Sequence, residues 1–249
     1  MLSKNRAKEL IKLHRSKFRK QEQQFIAEGP KLVLDLLQEG IKPLELFATD
    51  LWIDQNADYL KGIELTVVSQ AELQKISAMQ TANEVLAVYQ IPKNELDISS
   101  VKDGWTICLD GVQDPGNLGT IIRLADWFGV SQIICSNVSV DAYNPKVVQS
   151  TMASVFRVKV HYLDVPEFLE TTGAGVPVYA AEMNGDSIHK TNFGANGILV
   201  MGNEAKGVSQ EVQNLITASV TIPKFNQESG IDSLNVATAT AVILASIRA

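Results

Sequence analysis

Residues 222–249 read IPKFNQESGIDSLNVATATAVILASIRA: the end of a strand, a polar loop, then a run rich in Ala, Thr, Val and Ile. Between Asp232 and Arg248 there is no charged residue. A helix so poor in charge is expected to be buried on most of its faces. Its first turn leaves N–H groups without partners, and Ser233 or Asn235 is placed to cap them. The preceding loop, Phe225 to Asp232, is polar and contains Gly230, so its backbone is open to a ligand. A plain C-terminal core helix fits the same letters equally well. What separates the two readings lies upstream.

Short strand-like runs recur through the second half of the chain: Trp105 to Leu109, Gln132 to Cys135, Arg157 to Tyr162, Val176 to Ala181, Gly197 to Met201 and Val220 to Ile222. Helical segments stand between them at Leu118 to Phe128, Lys146 to Ala153, Val165 to Thr171 and Gln210 to Thr217. This alternation predicts a mostly parallel sheet covered on both faces. The first half reads as a smaller α/β domain, residues 1–91. It has a helix from Leu2 to Leu13, a polar break at Gln21 to Gln24, and a helix from Lys31 to Glu39 stopped by Gly40. A strand at Leu44 to Ala48, a helix at Leu51 to Leu60, a strand at Glu64 to Val68 and a helix at Ala71 to Ile76 follow. The last strand, Val85 to Ile91, is ended by Pro92. Residues 92–103 are polar and without a period, which reads as a linker to the second domain, 104–249.

No stretch approaches the ~18 continuous apolar residues of a membrane helix. The basic N-terminus lacks the apolar core and cleavage site of a signal peptide. Cys108 and Cys135 are embedded in strand-like apolar runs, and buried reduced thiols fit a cytoplasmic location. Neither they nor His14, His161 and His189 have metal-ligand spacing, so no metal is expected. The net charge of −6 argues weakly against a nucleic-acid partner, but its distribution does not. Lys4, Arg6, Lys8, Lys12, Arg15, Lys17, Arg19 and Lys20 face only Glu9 in the first twenty residues. That segment is +7 and the remainder −13, since the two sum to −6. A basic arm on an acidic body points to local phosphate contact; a solvated helix face is the plainer alternative.

Two further motifs bear on function. Asp110-Gly111-Val112-Gln113-Asp114-Pro115-Gly116-Asn117-Leu118-Gly119 leaves a strand and enters a helix that carries Arg123. Ligands gather at that edge of open α/β sheets. Asp114-Pro115-Gly116 makes the turn and Asn117 is placed to cap the helix. Arg123 interrupts an apolar surface, so it either binds an anion or makes a structural ion pair, with Asp126 one partner. Gly202-Asn203-Glu204 followed by Gly207 ends the strand Ile198 to Met201. Gly202 would let a ligand approach the backbone, or would simply serve an ordinary strand-to-helix turn. Neither the GxxxxGK[ST] nor the GxGxxG spacing is present, which disfavours a nucleotide-dependent oxidoreductase.

The three motifs, in this order, resemble the SpoU (TrmH-like) family of RNA ribose 2′-O-methyltransferases in the SPOUT superfamily. Asp114-Pro115, Asn117-Leu118-Gly119 and Arg123 match its first motif. Gly202-Asn203-Glu204 with Gly207 matches its second, and Ile222-Pro223 with Ser233-Leu234-Asn235-Val236 its third. Upstream, Gln24 to Gly29 and Leu46 to Thr49 look like the substrate-binding domain that often precedes it. Thr81 to Glu84, Gln149 and Ala153 depart from the usual pattern, and the loop Phe225 to Asp232 is longer than in compact relatives.

The resemblance implies a fold: a small N-terminal α/β substrate-binding domain, then a SPOUT domain with a parallel sheet and a trefoil knot. It implies S-adenosyl-L-methionine as cofactor, held by Gly202, Ile222, Ser233 and Leu234. It implies methyl transfer to a 2′-hydroxyl by in-line displacement. Arg123 would activate the hydroxyl or fix the adjacent phosphate, and Asn117, Glu204, Ser233 and Asn235 would orient and support. It also implies a homodimer that completes the active site across its interface. A separate upstream domain favours ribosomal RNA over transfer RNA as substrate. A transfer-RNA 2′-O-methyltransferase and a non-catalytic RNA-binding relative are the alternatives, the second disfavoured by the intact motif residues.

Overall fold

The computed structural model describes residues 2–226, 228 and 230–249. Met1, and Gln227 and Ser229 of the loop before the last helix, lie outside the described residues. The chain divides into two compact units, Met1–Lys93 with Asp141–Ala153, and Asn94–Val140 with Ser154–Ala249.

The first unit opens with α1 (Lys4–Lys12), capped by the Ser3 side chain, and α2 (Ser16–Glu22). Then come β1 (Gln24–Glu28), α3 (Pro30–Gln38), β2 (Glu45–Ala48), α4 (Asp50–Asn56), β3 (Leu65–Val67), α5 (Gln70–Ile76) and β4 (Val85–Gln90). The sheet runs β1-β4-β2-β3, antiparallel except for the β2–β3 pair. α2 and β1 occupy the stretch read as a polar break. The charged letters of α2 hide Arg19, which is buried, and β1 has buried Phe25, Ile26 and Ala27 behind a polar first residue. Leu10 and Leu13 of the basic arm join Ile26, Phe47, Leu73, Ile76 and Val88 in the core. The arm is thus part of the folded unit.

The second unit begins with α6 (Ile98–Asp103), within the segment read as a linker. Six residues are too few to show a period, but Asp97 caps the helix through the Ser100 N–H. β5 (Trp105–Asp110), α7 (Pro115–Trp127) and β6 (Gln132–Ser136) follow. The chain then leaves this unit. α8 (Pro145–Thr151) lies in the segment that belongs to the first unit, where Arg19, 2% exposed, pairs with Asp141 at 2.6 Å and the Phe25 and Tyr143 rings meet. It returns for β7 (Lys159–Leu163), α9 (Val165–Glu170), β8 (Val178–Ser187), β9 (Gly197–Gly202), α10 (Gln210–Gln213), β10 (Ala218–Thr221) and α11 (Val236–Ile247).

All six strands of this unit are parallel, in the order β10-β8-β9-β5-β6-β7. The central strands β5 and β9 read as unbroken buried runs because both sheet faces are covered. β8 runs six residues past its expected end: its pairing with β10 jumps in register between Ser219 and Val220. Gly185 permits this, since a Cβ there would lie 2.5 Å from the Ser219–Val220 backbone. α11 is buried on one side only, through Val236, Ala237, Thr240, Ile243 and Leu244, against the expectation that most faces would be covered. Its other side is charge-free and only partly covered in the single chain.

Candidate active site

β5 and β9 are neighbours and end together, with Asp110 opposite Gly202. From β5 the chain continues to β6 on one side, while β9 has β8 on the other. The winding therefore reverses between them, at the edge where open α/β sheets place their ligands. The first two motifs leave the sheet at this point.

The N-cap of α7 is Asp114, and not Asn117 as expected. The Asp114 carboxylate accepts from the Asn117 N–H at 2.8 Å, and Pro115 takes the first helical position, where no N–H is needed. Asn117, in the first turn, keeps its side chain for other partners. Its Nδ2 donates to Glu204 Oε1 at 2.9 Å, and its Oδ1 accepts from Asn235 Nδ2 at 2.8 Å. Asn235 in turn caps α11, its Oδ1 accepting from the N–H groups of Ala237 and Thr238. The polarity of the chain is determined at one end. The helix takes the Asn235 oxygen, so only its amide nitrogen can reach Asn117, which must accept there and donate to the carboxylate. One residue from each motif is thereby joined in a single line.

The second loop doubles back, with Asn203 and Gly207 exchanging both backbone hydrogen bonds at 2.9 Å. Asn203 Nδ2 donates to Gly111 O at 2.7 Å, and its Oδ1 accepts from the N–H groups of Ala205 and Lys206. This side chain ties the first loop to the second. Gly202 is required by the loop itself: a Cβ there would fall 2.6 Å from Gly207 O and closer still to the Gly207–Val208 peptide. The open backbone is at Gly207, at φ +70° with nothing within 4 Å of a Cβ position. In the third motif Ile222 is half-buried, while Ser233 and Leu234 are exposed, Leu234 by 50%. Lys224 Nζ donates to Ile231 O at 2.9 Å across this loop. Ile222, Ser233 and Leu234 make no hydrogen bond to the Asn117 line among the described residues. Open glycine backbone beside exposed apolar side chains suits a flat heteroaromatic ring with polar edges.

Arg123 is exposed on α7, and its side chain makes no ion pair or hydrogen bond among the described residues. Asp126 is engaged elsewhere, its Oδ2 accepting from Ser154 Oγ at 2.6 Å and Arg157 Nε at 2.8 Å. The structural ion pair is therefore not the role of Arg123. Six residues place it about 120° round the helix from Asn117, on the side that bears exposed Thr120 and Trp127, the latter 83% exposed. Cys108 and Cys135 lie beneath this site, fully buried, and burial pushes both thiols up, so they stay neutral. The site thus offers a carboxylate held through one oxygen, two oriented amides, an unpaired guanidinium and open loop backbone. Such a set can bind and orient a hydroxyl next to an anion.

Asp114, Asn203 and Asp110 were quoted within the motifs, but the bonds their side chains make were not foreseen; Asp110 Oδ2 accepts from the Ser209 N–H at 2.7 Å. The Asp-Pro pair at a helix start and an Asn within a tight turn were the available signals.

Residues 104–245 match the SpoU rRNA Methylase family, and residues 4–87 match the MRM3-like substrate binding domain. The 23S rRNA (guanosine(2553)-2′-O)-methyltransferase of Bacillus subtilis is 29% identical over 246 residues, covering 98% of this chain and 96% of that one. A structure from Porphyromonas gingivalis, ascribed to the TrmH family of RNA methyltransferases, superposes with a TM-score of 0.85 at 35% identity, over 99% of this chain and 98% of that one. An AdoMet-bound rRNA methyltransferase from Sinorhizobium meliloti gives 0.84 at 29% identity, over 100% and 95%.

Proposed function

Because the chain belongs to the SpoU rRNA methylase family, we propose that it methylates a ribose 2′-hydroxyl of ribosomal RNA with S-adenosyl-L-methionine. The observation that carries this reading is the Asn117 side chain, joined to Glu204 and Asn235 so that all three motifs meet at one point. The Bacillus subtilis relative, which aligns over nearly its whole length, supports ribosomal RNA. The Sinorhizobium meliloti structure supports the cofactor.

Gly202, Gly207, Ile222, Ser233 and Leu234 would hold the cofactor, the loop N–H and C=O groups supplying polar contacts and Leu234 an apolar one. When bound, S-adenosyl-L-methionine supplies an electrophilic methyl group. The chain must bring a hydroxyl in line with it and accommodate the proton lost. Glu204, held by Asn117 through Oε1, keeps Oε2 for the substrate hydroxyl. Arg123 fixes the neighbouring phosphate bidentately and stabilises the developing alkoxide. A guanidinium stays charged and is a poor base, which favours this role over proton abstraction.

Met1–Lys93 with Asp141–Ala153 serve as the RNA-binding domain, and Asn94–Val140 with Ser154–Ala249 form the methyltransferase domain with its trefoil knot. The protein acts as a homodimer in the cytoplasm. The partly covered, charge-free side of α11, the exposed Trp127 and the outward Arg123 support pairing through α7 and α11, with Arg123 reaching a site completed by the second copy. No helix is long and apolar enough to cross a membrane among the described residues.

Mapping 2′-O-methyl positions in ribosomal RNA from parent and deletion cells tests the reading. One position should lose its methyl group on deletion and regain it when the purified protein and labelled S-adenosyl-L-methionine are added. Unchanged ribosomal RNA with a lost mark in transfer RNA would replace the substrate, and label on a base would replace the chemistry.

A further inference from the structure

Eight cations lie in the first twenty residues, and the structure divides them into two sets. Arg6 pairs with Glu9 and Glu45, and Arg19 is buried against Asp141 and the Leu13 carbonyl. These two arginines hold the unit together. Lys4, Lys8, Lys12, Arg15, Lys17 and Lys20 are all exposed, and none has an acidic partner among the described residues. We infer that this second set is an RNA backbone-binding surface on α1 and α2, a contact separate from the motif loops; the inference rests on the RNA reading above.

The geometry distinguishes the surface from a merely solvated face. Four residues advance a helix by about 40° beyond one turn, so Lys4, Lys8 and Lys12 fall within an arc of about 80°. Buried Leu10 lies on the opposite side. The stripe is also braced. Arg19 Nη1 donates to Leu13 O at 2.8 Å, and the Lys12 ammonium sits 5.7 Å from the centre of the Phe18 ring, so α1 and α2 present their cations together. Solvated faces normally intersperse both signs. Here only Glu9 and Glu22 interrupt, and Glu9 is occupied by Arg6. The remainder of the chain is −13, so positive charge is concentrated on this segment. Lysines are point charges, so they supply affinity and placement and leave sequence choice to the motif loops.

Removing the arm is not a usable test, because Leu10, Leu13 and Arg19 belong to the core. The triple variant Lys4→Gln, Lys8→Gln, Lys12→Gln keeps good helix formers and removes only charge. A control triple, Lys42→Gln, Lys61→Gln, Lys93→Gln, removes equal charge from exposed sites elsewhere in the unit. The probe is total ribosomal RNA from deletion cells, measured by filter binding from 0.05 to 0.3 M salt. The stripe variant should bind about tenfold more weakly at 0.15 M, and its log–log salt slope should be smaller by about 2 to 3. Its KM for RNA should rise while kcat and S-adenosyl-L-methionine affinity stay at wild-type values; the control should match wild type. An unchanged slope in the stripe variant, or equal losses in both variants, overturns the inference. Stronger loss of binding to phosphatidylglycerol vesicles than to RNA overturns it in favour of a lipid surface. Wild-type protein that binds this RNA but transfers no methyl group to it counts against the proposed function and leaves the binding surface standing.

Discussion

The line Asn235–Asn117–Glu204 makes separable demands on each side chain. Serine at position 235 can still cap α11 but has no second arm for Asn117. Asn235→Ser should therefore keep stability within about 0.5 kcal/mol, while single-turnover methyl transfer drops. Loss of stability with intact turnover would make Asn235 a cap only. The Arg123 side chain has no partner among the described residues, so Arg123→Ala should leave the melting temperature unchanged. Methyl transfer should fall by roughly 2.7–4 kcal/mol of barrier, about a hundred- to a thousandfold, with Arg123→Lys equally impaired because an ammonium lacks the planar fork. A melting temperature that falls with rate intact would return Arg123 to packing. His14 and His161 are both lowered, chiefly by burial; the His14 Nε2 meets the Ile76 carbonyl at 3.0 Å, and Lys159 further lowers His161. Both are favoured neutral in the folded state. The stability they confer is complete above the ordinary value of 6.5 and is lost as pH falls through their lower folded values. The Asp97 carboxyl, held down to about 2 by the Ser99 and Ser100 hydroxyls, titrates far below that window. Urea unfolding at pH 7.5 and 5.5 should show weaker stability at 5.5, and His14→Gln with His161→Gln should flatten the difference.

At the scale of elements, the second-motif loop is shaped by its own backbone. Gly202→Ala should cost about 1–3 kcal/mol through overpacking against the Gly207–Val208 peptide, and should weaken S-adenosyl-L-methionine binding by calorimetry. Binding lost with no fall in stability would mean that the ligand, and not the loop, requires this glycine. Sequence reasoning located Gly202 but left its space open to a ligand or to an ordinary turn, because a strand-end glycine looks the same whatever approaches it. The parallel strands were legible because β5 and β9 are buried on both faces and so read as unbroken apolar runs. α2 and α6 were not. One has a charged sequence whose arginine is buried by a distant aspartate, and the other is a turn and a half held by the Asp97 cap. The Asn117 line was visible as three motifs, yet no spacing rule says that two amides and a carboxylate 87 and 118 residues apart share hydrogen bonds.

For the whole molecule, the proposed pairing through α7 and α11 makes a direct prediction. Val242 lies on the outer side of α11 and is only partly covered in one chain. Val242→Glu should leave the protomer folded by circular dichroism, shift its mass in light scattering from two chains to one, and reduce methyl transfer with it. A dimeric and active variant would place the interface elsewhere. The unequal division of the chain, with Asp141–Ala153 in the first unit, has a consequence for how the protein is made. Arg19 and Asp141 are separated by 122 residues. At roughly 5–20 residues per second the ribosome delivers the aspartate some 6–24 s after the arginine. Once Gln90 has been added the first unit has its four strands, but it still lacks the carboxylate for its buried guanidinium and the helix that covers β1. It cannot close as each domain of a simple tandem protein does, on its own and in order of emergence. Its completion waits until β5 and β6 of the parallel sheet have emerged, so the second unit has begun before the first can finish.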